Sequence, residues 1–286
     1  LGTAQDINLL NIHQGAVGDC YFLSTLSGLI YQRGAQSVAN LFHQNNDGGY
    51  SIDYTDVHSV AQQISVTPVT DLEVATGAYS AGSGQWLSYM EKAFGDVLMS
   101  PEYSFIYFGN TPATPGSIYS LATFYDGMTA SQLPIGQYYS AFKFLTGHEV
   151  YEFTNSYNAS STDYTLVNTY ADNPDSANIT LGAKVTPANM VSLIDPLLAQ
   201  GRVMVLGTPV DTKELNGATE QGTVDLPPGI VSTHAYAILG HSNGKFKLRN
   251  PWGTNFTPNG ADSITNGYTM QDGIFYVPDA DVFNIF

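Results

Sequence analysis

Cysteine is nearly absent from this sequence: one residue in 286, Cys20. A single thiol excludes an internal disulfide, so burial and hydrogen bonding alone must hold the fold. Basic residues are also scarce. Nine Lys and Arg stand against 25 Asp and Glu, a formal net charge of −16, and such a surface repels a phosphate backbone, which excludes a general affinity for nucleic acid. No uncharged apolar run approaches the roughly 20 residues of a membrane-spanning helix, so no membrane span is expected. The opening residues lack a Met, a basic stretch and an apolar stretch, so any targeting signal is expected to have been removed or never to have belonged here. What is present is core material and turn residues: 43% hydrophobic, 12% charged, 28 Gly and 14 Pro. That mixture belongs to a folded, loop-rich chain, long enough for one large domain or two subdomains across a cleft. Few lysines and 19 tyrosines give the composition of an exported bacterial protein, secreted or at the cell surface. No pattern speaks to oligomeric state.

From Cys20 the apolar residues Phe22, Leu23, Leu26, Leu29 and Ile30 recur at intervals of three and four, predicting a helix with one face on a core and Asp19 as its N-cap. A second helix is predicted over Gln85–Phe94 and a third over Pro187–Leu198, ended by Gly201. Between Phe94 and Gln137 the periodicity is lost, placing a subdomain boundary there, with residues 1–127 on one side and 128–286 on the other. Residues 150–183 read as strands joined by turns, and Val203–Leu206 as a buried strand. STHAYAILG and KFKLRNPWG read as two further strands joined through HSNG. In the second, Lys245, Lys247 and Arg249 fall on a charged face and Phe246, Leu248 and Asn250 on an apolar one.

An amide on an apolar face needs a hydrogen-bond partner, and His234 on the preceding strand is the nearest candidate. Cys20 supplies a thiol at a helix start, where the dipole favours the thiolate, and an imidazolium nearby would favour it further. His234 fits the role of base and Asn250 that of its orienting partner. The Cys20 backbone N–H and the Gln14 side-chain amide are the expected donors to an oxyanion. The hairpin carries a geometric condition. A two-residue turn at Asn243 and Gly244 in an unbroken ladder would turn Asn250 away from His234, so a longer loop centred near Ser242, or a bulge, is required.

QGAVGDCYFL, THAYAILG and LRNPWG together resemble the signature blocks of the calpain family of papain-like cysteine peptidases. WLSYMEKAF, LLAQGRVMVLG and QDGIFYVPDADVFNIF are similar to further segments of that family, so the likeness spans nearly the whole chain in order. It implies an α+β, papain-like fold. One half would be helical and carry Cys20; the other would be an antiparallel sheet carrying His234 and Asn250, with the active site in the cleft between them. Its implied activity is endopeptidase cleavage of a protein or peptide substrate through an acyl-enzyme. The resemblance assigns Gln14 to the oxyanion hole and Trp252 to shielding the His234–Asn250 bond, with Gly18 and Asp19 supporting the cysteine. Tyr21 departs from the usual Trp. Calcium-dependent members carry acidic residues where this chain has Asn11 and Phe256, and Phe256 offers no oxygen to a hard cation. Activity without calcium or any other cofactor is therefore expected. Two alternatives keep the fold: a catalytically silent peptide-binding module, and an acyl-transfer or deamidating enzyme.

Some residues are expected to stay outside the site. His13, His43, His58, His148 and His241 lack metal-type spacing and are expected on surface or loops. Asp279 and Asp281 are expected as solvated loop carboxylates. The triplets at 158, 178 and 255 match a glycosylation pattern that means little in a bacterial protein.

Overall fold

The computed structural model describes residues 6–56, 58–80, 84–98, 136–148, 150–155, 164–168, 184–211, 213 and 223–286. It is a mixed α+β chain that divides into two compact units, Leu1–His148 with Pro251–Gly253, and Glu149–Asn250 with Thr254–Phe286. The boundary expected between 127 and 128 falls outside the described residues. Helix Gly136–Thr146, which lies beyond that boundary, groups with the first unit.

Phe144 explains that grouping. Its ring lies edge-on to Phe22 at 6.0 Å and to Phe94 at 5.3 Å, while Phe22 and Phe94 stack at 4.2 Å. One aromatic cluster thus joins helix Cys20–Arg33, helix Trp86–Leu98 and helix Gly136–Thr146. Each such ring contributes about 1.5–3 kcal/mol through burial. The cysteine helix is more deeply set than its apolar stripe implies. Every residue from Tyr21 to Ile30 is buried, Ser24, Thr25 and Ser27 included. Short hydroxyl side chains let neighbouring elements close on the polar side of the stripe, and Thr25 returns its hydroxyl to Tyr21 O at 2.8 Å. An antiparallel sheet of Phe42–Gln44, Tyr50–Thr55 and Ala61–Val66 completes this unit's main elements.

The second unit is built on a four-stranded antiparallel sheet, in the order Ile274–Pro278, Lys245–Arg249, Ala235–Ser242, Met204–Gly207. Tyr236, Ile238, Phe246, Leu248, Phe275 and Val277 form its core with Met190 and Ile194 of helix Pro187–Ala199 and Val282 and Ile285 of helix Asp279–Ile285. The first of these helices begins as its sequence dictates. Thr186 accepts from Asn189 N and Pro187 takes the first turn, where a missing N–H costs nothing. A smaller antiparallel sheet contains Tyr151–Asn155, Tyr164–Asn168 and Lys184–Val185. The remainder of the stretch 150–183 lies outside the described residues, as do the glycosylation-type asparagines 158 and 178.

Three expectations need correction. Arg249 is fully buried rather than on a charged face, and burial pulls its guanidinium down to about 10; Lys245 and Lys247 on the same strand stay exposed and half-buried, so the face closes over only at its Arg249 end. His241 is neither on a loop nor at the open surface. It lies on strand Ala235–Ser242 between two carboxylates, Nδ1 2.7 Å from Asp195 Oδ1 and Nε2 2.9 Å from Asp279 Oδ1. Asp279 and Asp281 begin a helix instead of hanging in solvent; Asp281 Oδ2 accepts from Tyr268 OH at 2.9 Å. Carboxylates in a first helical turn are favoured by the dipole.

Candidate functional site

Cys20 occupies the first position of its helix, half-buried and outside any disulfide. The loop before it follows a path only glycine permits. A Cβ on Gly15 would stand 2.0 Å from Gly77 O, and beside it Ala16 N donates to Thr76 O at 2.9 Å. Gln14 Nε2 donates to Val17 O at 2.7 Å, which uses one of its two hydrogens. Gly18 is half-buried and completes the approach to Asp19.

Asp19 stands at the N-cap position but does not cap. Its side chain takes no bond from the helix; the backbone carbonyl instead accepts from Phe22 N at 2.9 Å and Leu23 N at 3.1 Å. Its carboxyl is fully buried and pushed up to about 7, chiefly by desolvation.

The segment Pro251–Gly253 belongs to this first unit. Pro251 O accepts from Gln14 N at 3.0 Å, and Trp252 O accepts from His13 Nδ1 at 3.3 Å. His13 sits on a short strand with its ring stacked on Tyr79 at 5.0 Å, and a Cβ on Gly253 would run into that ring at 2.4 Å. Trp252 keeps 40% of its surface exposed.

In the second unit, His234 and Asn250 meet. His234 Nε2 lies 2.9 Å from Asn250 Oδ1, and both side chains are buried, at 5% and 1% exposure. An amide oxygen only accepts, so Nε2 carries the hydrogen and Nδ1 keeps its lone pair. Desolvation lowers the imidazole to about 4, against a smaller upward effect of Asn250. Burial thus favours the neutral ring.

A bulge makes this pairing possible. Ser242 pairs with Lys245 across a two-residue turn, Asn243 and Gly244, whose φ values of 53° and 69° suit a tight hairpin. The longer loop is not there. The register slips instead between Ile238 and Gly240, so that Ile238 faces Leu248 and Ala237 faces Arg249. One extra residue reverses the facing of everything before it. His234 and Asn250 thereby share a face as diagonal neighbours rather than directly opposed ones.

Two residues that hold this pair carried no signal in the sequence. Thr208 Oγ1 accepts from His234 N at 2.9 Å, and Thr208 N donates to His234 O at 2.8 Å, fixing the histidine backbone after Thr233, itself at φ 48°. The ring of Tyr236 stands edge-on to His234 at 5.1 Å while its hydroxyl accepts from Val231 N at 2.8 Å. Thr208 reaches His234 from 26 positions away, while the partners of Tyr236 lie only two and five positions back, at a spacing that marks no motif.

Asn11 donates through Nδ2 to Asp6 O at 3.2 Å. Phe256 packs over Gly229 and Gly267 and bridges to Met270. Among the described residues, no group of three or more His, Cys, Asp or Glu is arranged to hold a metal ion, and no helix is long and apolar enough to cross a membrane. Comparison of the chain with protein-family models and with curated proteins gives no match in either case.

Proposed function

We propose that this chain is a calpain-like cysteine endopeptidase of papain-like fold. Cys20 is its nucleophile, His234 its base and Asn250 the group that orients the base. The observation that carries the reading is the buried Nε2 to Oδ1 bond of 2.9 Å between His234 and Asn250, achieved through a strand bulge. It presents Nδ1 as the basic nitrogen. The reading requires His234 Nδ1 to reach the Cys20 sulfur in the working enzyme.

In this scheme Nδ1 takes the thiol proton as sulfur attacks the peptide carbonyl. The carbonyl oxygen becomes an oxyanion held by the Cys20 N–H and the second hydrogen of Gln14 Nε2. The intermediate collapses with transfer of the proton from Nδ1 to the departing amine, leaving a thioester. Water, deprotonated by the same nitrogen, then releases the acid and the thiol. Trp252 would cover the His234–Asn250 bond, since water competing for Nε2 would free the ring to rotate. No metal or cofactor enters any step.

The test is labelling by a thiol-reactive peptide epoxide together with cleavage of an unfolded protein. Labelling confined to Cys20, new peptide N-termini, and loss of both in Cys20→Ala are the expected results. A folded protein that neither labels nor cleaves is a binding module. Ammonia release without backbone cleavage makes it a deamidase.

A further inference from the structure

The cysteine helix begins on a carboxyl pair. Asp19 is fully buried and faces Glu91, also fully buried, on helix Trp86–Leu98. Among the described residues, neither Asp19 oxygen nor Glu91 Oε1 has a hydrogen-bond donor beyond this mutual contact and the Asp19 backbone N–H, while Glu91 Oε2 accepts from Ala78 N at 2.7 Å.

Among the described residues no cation neutralises the pair. Lys92, next on the same helix, lies 3.1 Å from Glu73 Oε1, and Lys143 of helix Gly136–Thr146 donates to Ser59 Oγ at 2.6 Å. Tyrosines on the packed elements include Tyr21, edge-on to Phe94 and to Tyr138 of helix Gly136–Thr146, Tyr31 at the far end of the cysteine helix, Tyr50, Tyr54 and Tyr79 on the neighbouring strands, and Tyr89, whose hydroxyl is 3.5 Å from Gly48 O. Two carboxylates buried together would repel and leave acceptors without donors; one proton between them removes the repulsion and gives one orphan oxygen a donor. Burial raises both groups, Glu91 well above the usual carboxylate range.

We propose that Glu91 is a positioning residue for Cys20: it shares one proton with Asp19, and the resulting O–H···O bond ties the first turn of the cysteine helix to helix Trp86–Leu98 and to the Ala78 backbone. The shared proton stands on the geometry of the first unit alone; only its catalytic use rests on the proposed function. Loss of the proton at alkaline pH places two charges under the turn that carries the thiol, loosening it.

Glu91→Gln and Asp19→Asn are the informative variants, because each replaces the shared proton by an amide N–H and keeps the bond at every pH. Infrared spectra of the wild type at neutral pH should contain a protonated-carboxyl stretching band that both variants lack. Alkylation of the sole thiol by iodoacetamide should show, in the wild type, a second inflection above about pH 7, following loss of the shared proton, that Glu91→Gln removes. A wild type without the band, a band surviving in both variants, or an unchanged alkylation profile overturns the proposal. Neither readout needs peptidase turnover, so an inactive protein that gives both results refutes the proposed function and leaves the shared proton standing.

Discussion

A neutral histidine can act as a base only through the nitrogen that keeps its lone pair, and at position 234 the choice is made by one oxygen. Asn250 Oδ1 holds the hydrogen on Nε2 at 2.9 Å, leaving Nδ1 as the acceptor. Replacing Asn250 by Ala removes that choice and lets the ring turn, so turnover should fall by about 10²–10⁴-fold, the usual worth of a positioned acid–base group. Steady-state kinetics on a fluorogenic peptide would measure it, with far-ultraviolet dichroism checking the fold. On the proposed mechanism, Gln14→Ala should cost about 10²–10³-fold in kcat through loss of an oxyanion donor. Because burial lowers His234 to about 4, the base stays neutral well below the ordinary histidine range. The acidic limb of kcat/KM should therefore lie near pH 4 rather than near pH 6.5; a profile already half lost at pH 6.5 would contradict the neutral resting state.

At the scale of elements, the hairpin from Ala235 to Arg249 decides whether those two residues can meet. Its turn obeys local chemistry: Asn243 and Gly244 take positive φ, as a two-residue hairpin requires. Replacing Gly244, at φ 69°, by Val should cost about 1–2 kcal/mol, the penalty of a left-handed conformation for a branched residue, seen as a lower urea midpoint at constant slope. The turn alone would separate His234 from Asn250. The bulge at Leu239, a residue itself 1% exposed, undoes this. The glycine before the cysteine loop is equally fixed. Gly15→Ala drives a Cβ against a backbone carbonyl at 2.0 Å, which no side-chain rotation relieves.

Across the whole molecule, three buried titrating groups act on stability in opposite directions. His234 is lowered to about 4, so the unfolded chain binds more protons between about pH 4 and 6.5, and this contribution rises with pH by up to about 3 kcal/mol. Asp19, raised to about 7, and Glu91, also raised, have the reverse sign: the folded chain binds more protons, and stability falls as pH climbs above the ordinary carboxylate range. Below about pH 6.5 the histidine offsets one of the two carboxyls; above it, nothing does. Asp53 is lowered by its exposed contact with His43, and exposed pairs contribute little. The melting temperature should therefore fall from pH 5 to pH 8, most steeply between about pH 6.5 and 7, before Asp19 itself ionises, and Glu91→Gln should flatten the curve in calorimetry at fixed ionic strength. With a net charge of −16, added salt should raise the melting temperature by screening self-repulsion.

Local physics made much of this protein legible in advance. Apolar spacing marked helix Cys20–Arg33, helix Trp86–Leu98 and helix Pro187–Ala199, and alternation marked strand Ala235–Ser242 and strand Lys245–Arg249, because periodicity is a property of neighbours in the chain. The need for a partner at Asn250 was also visible, since an amide among apolar residues cannot stand alone. What sequence could not decide was which distant groups would meet. Whether Arg249 faces water, whether His241 lies between two carboxylates, where the strand slips, and whether Asp19 caps its helix or turns to Glu91 all depend on contacts up to 72 positions apart in the chain. Burial and charge neutralisation are settled only when those distant segments pack, and the tertiary structure alone does that.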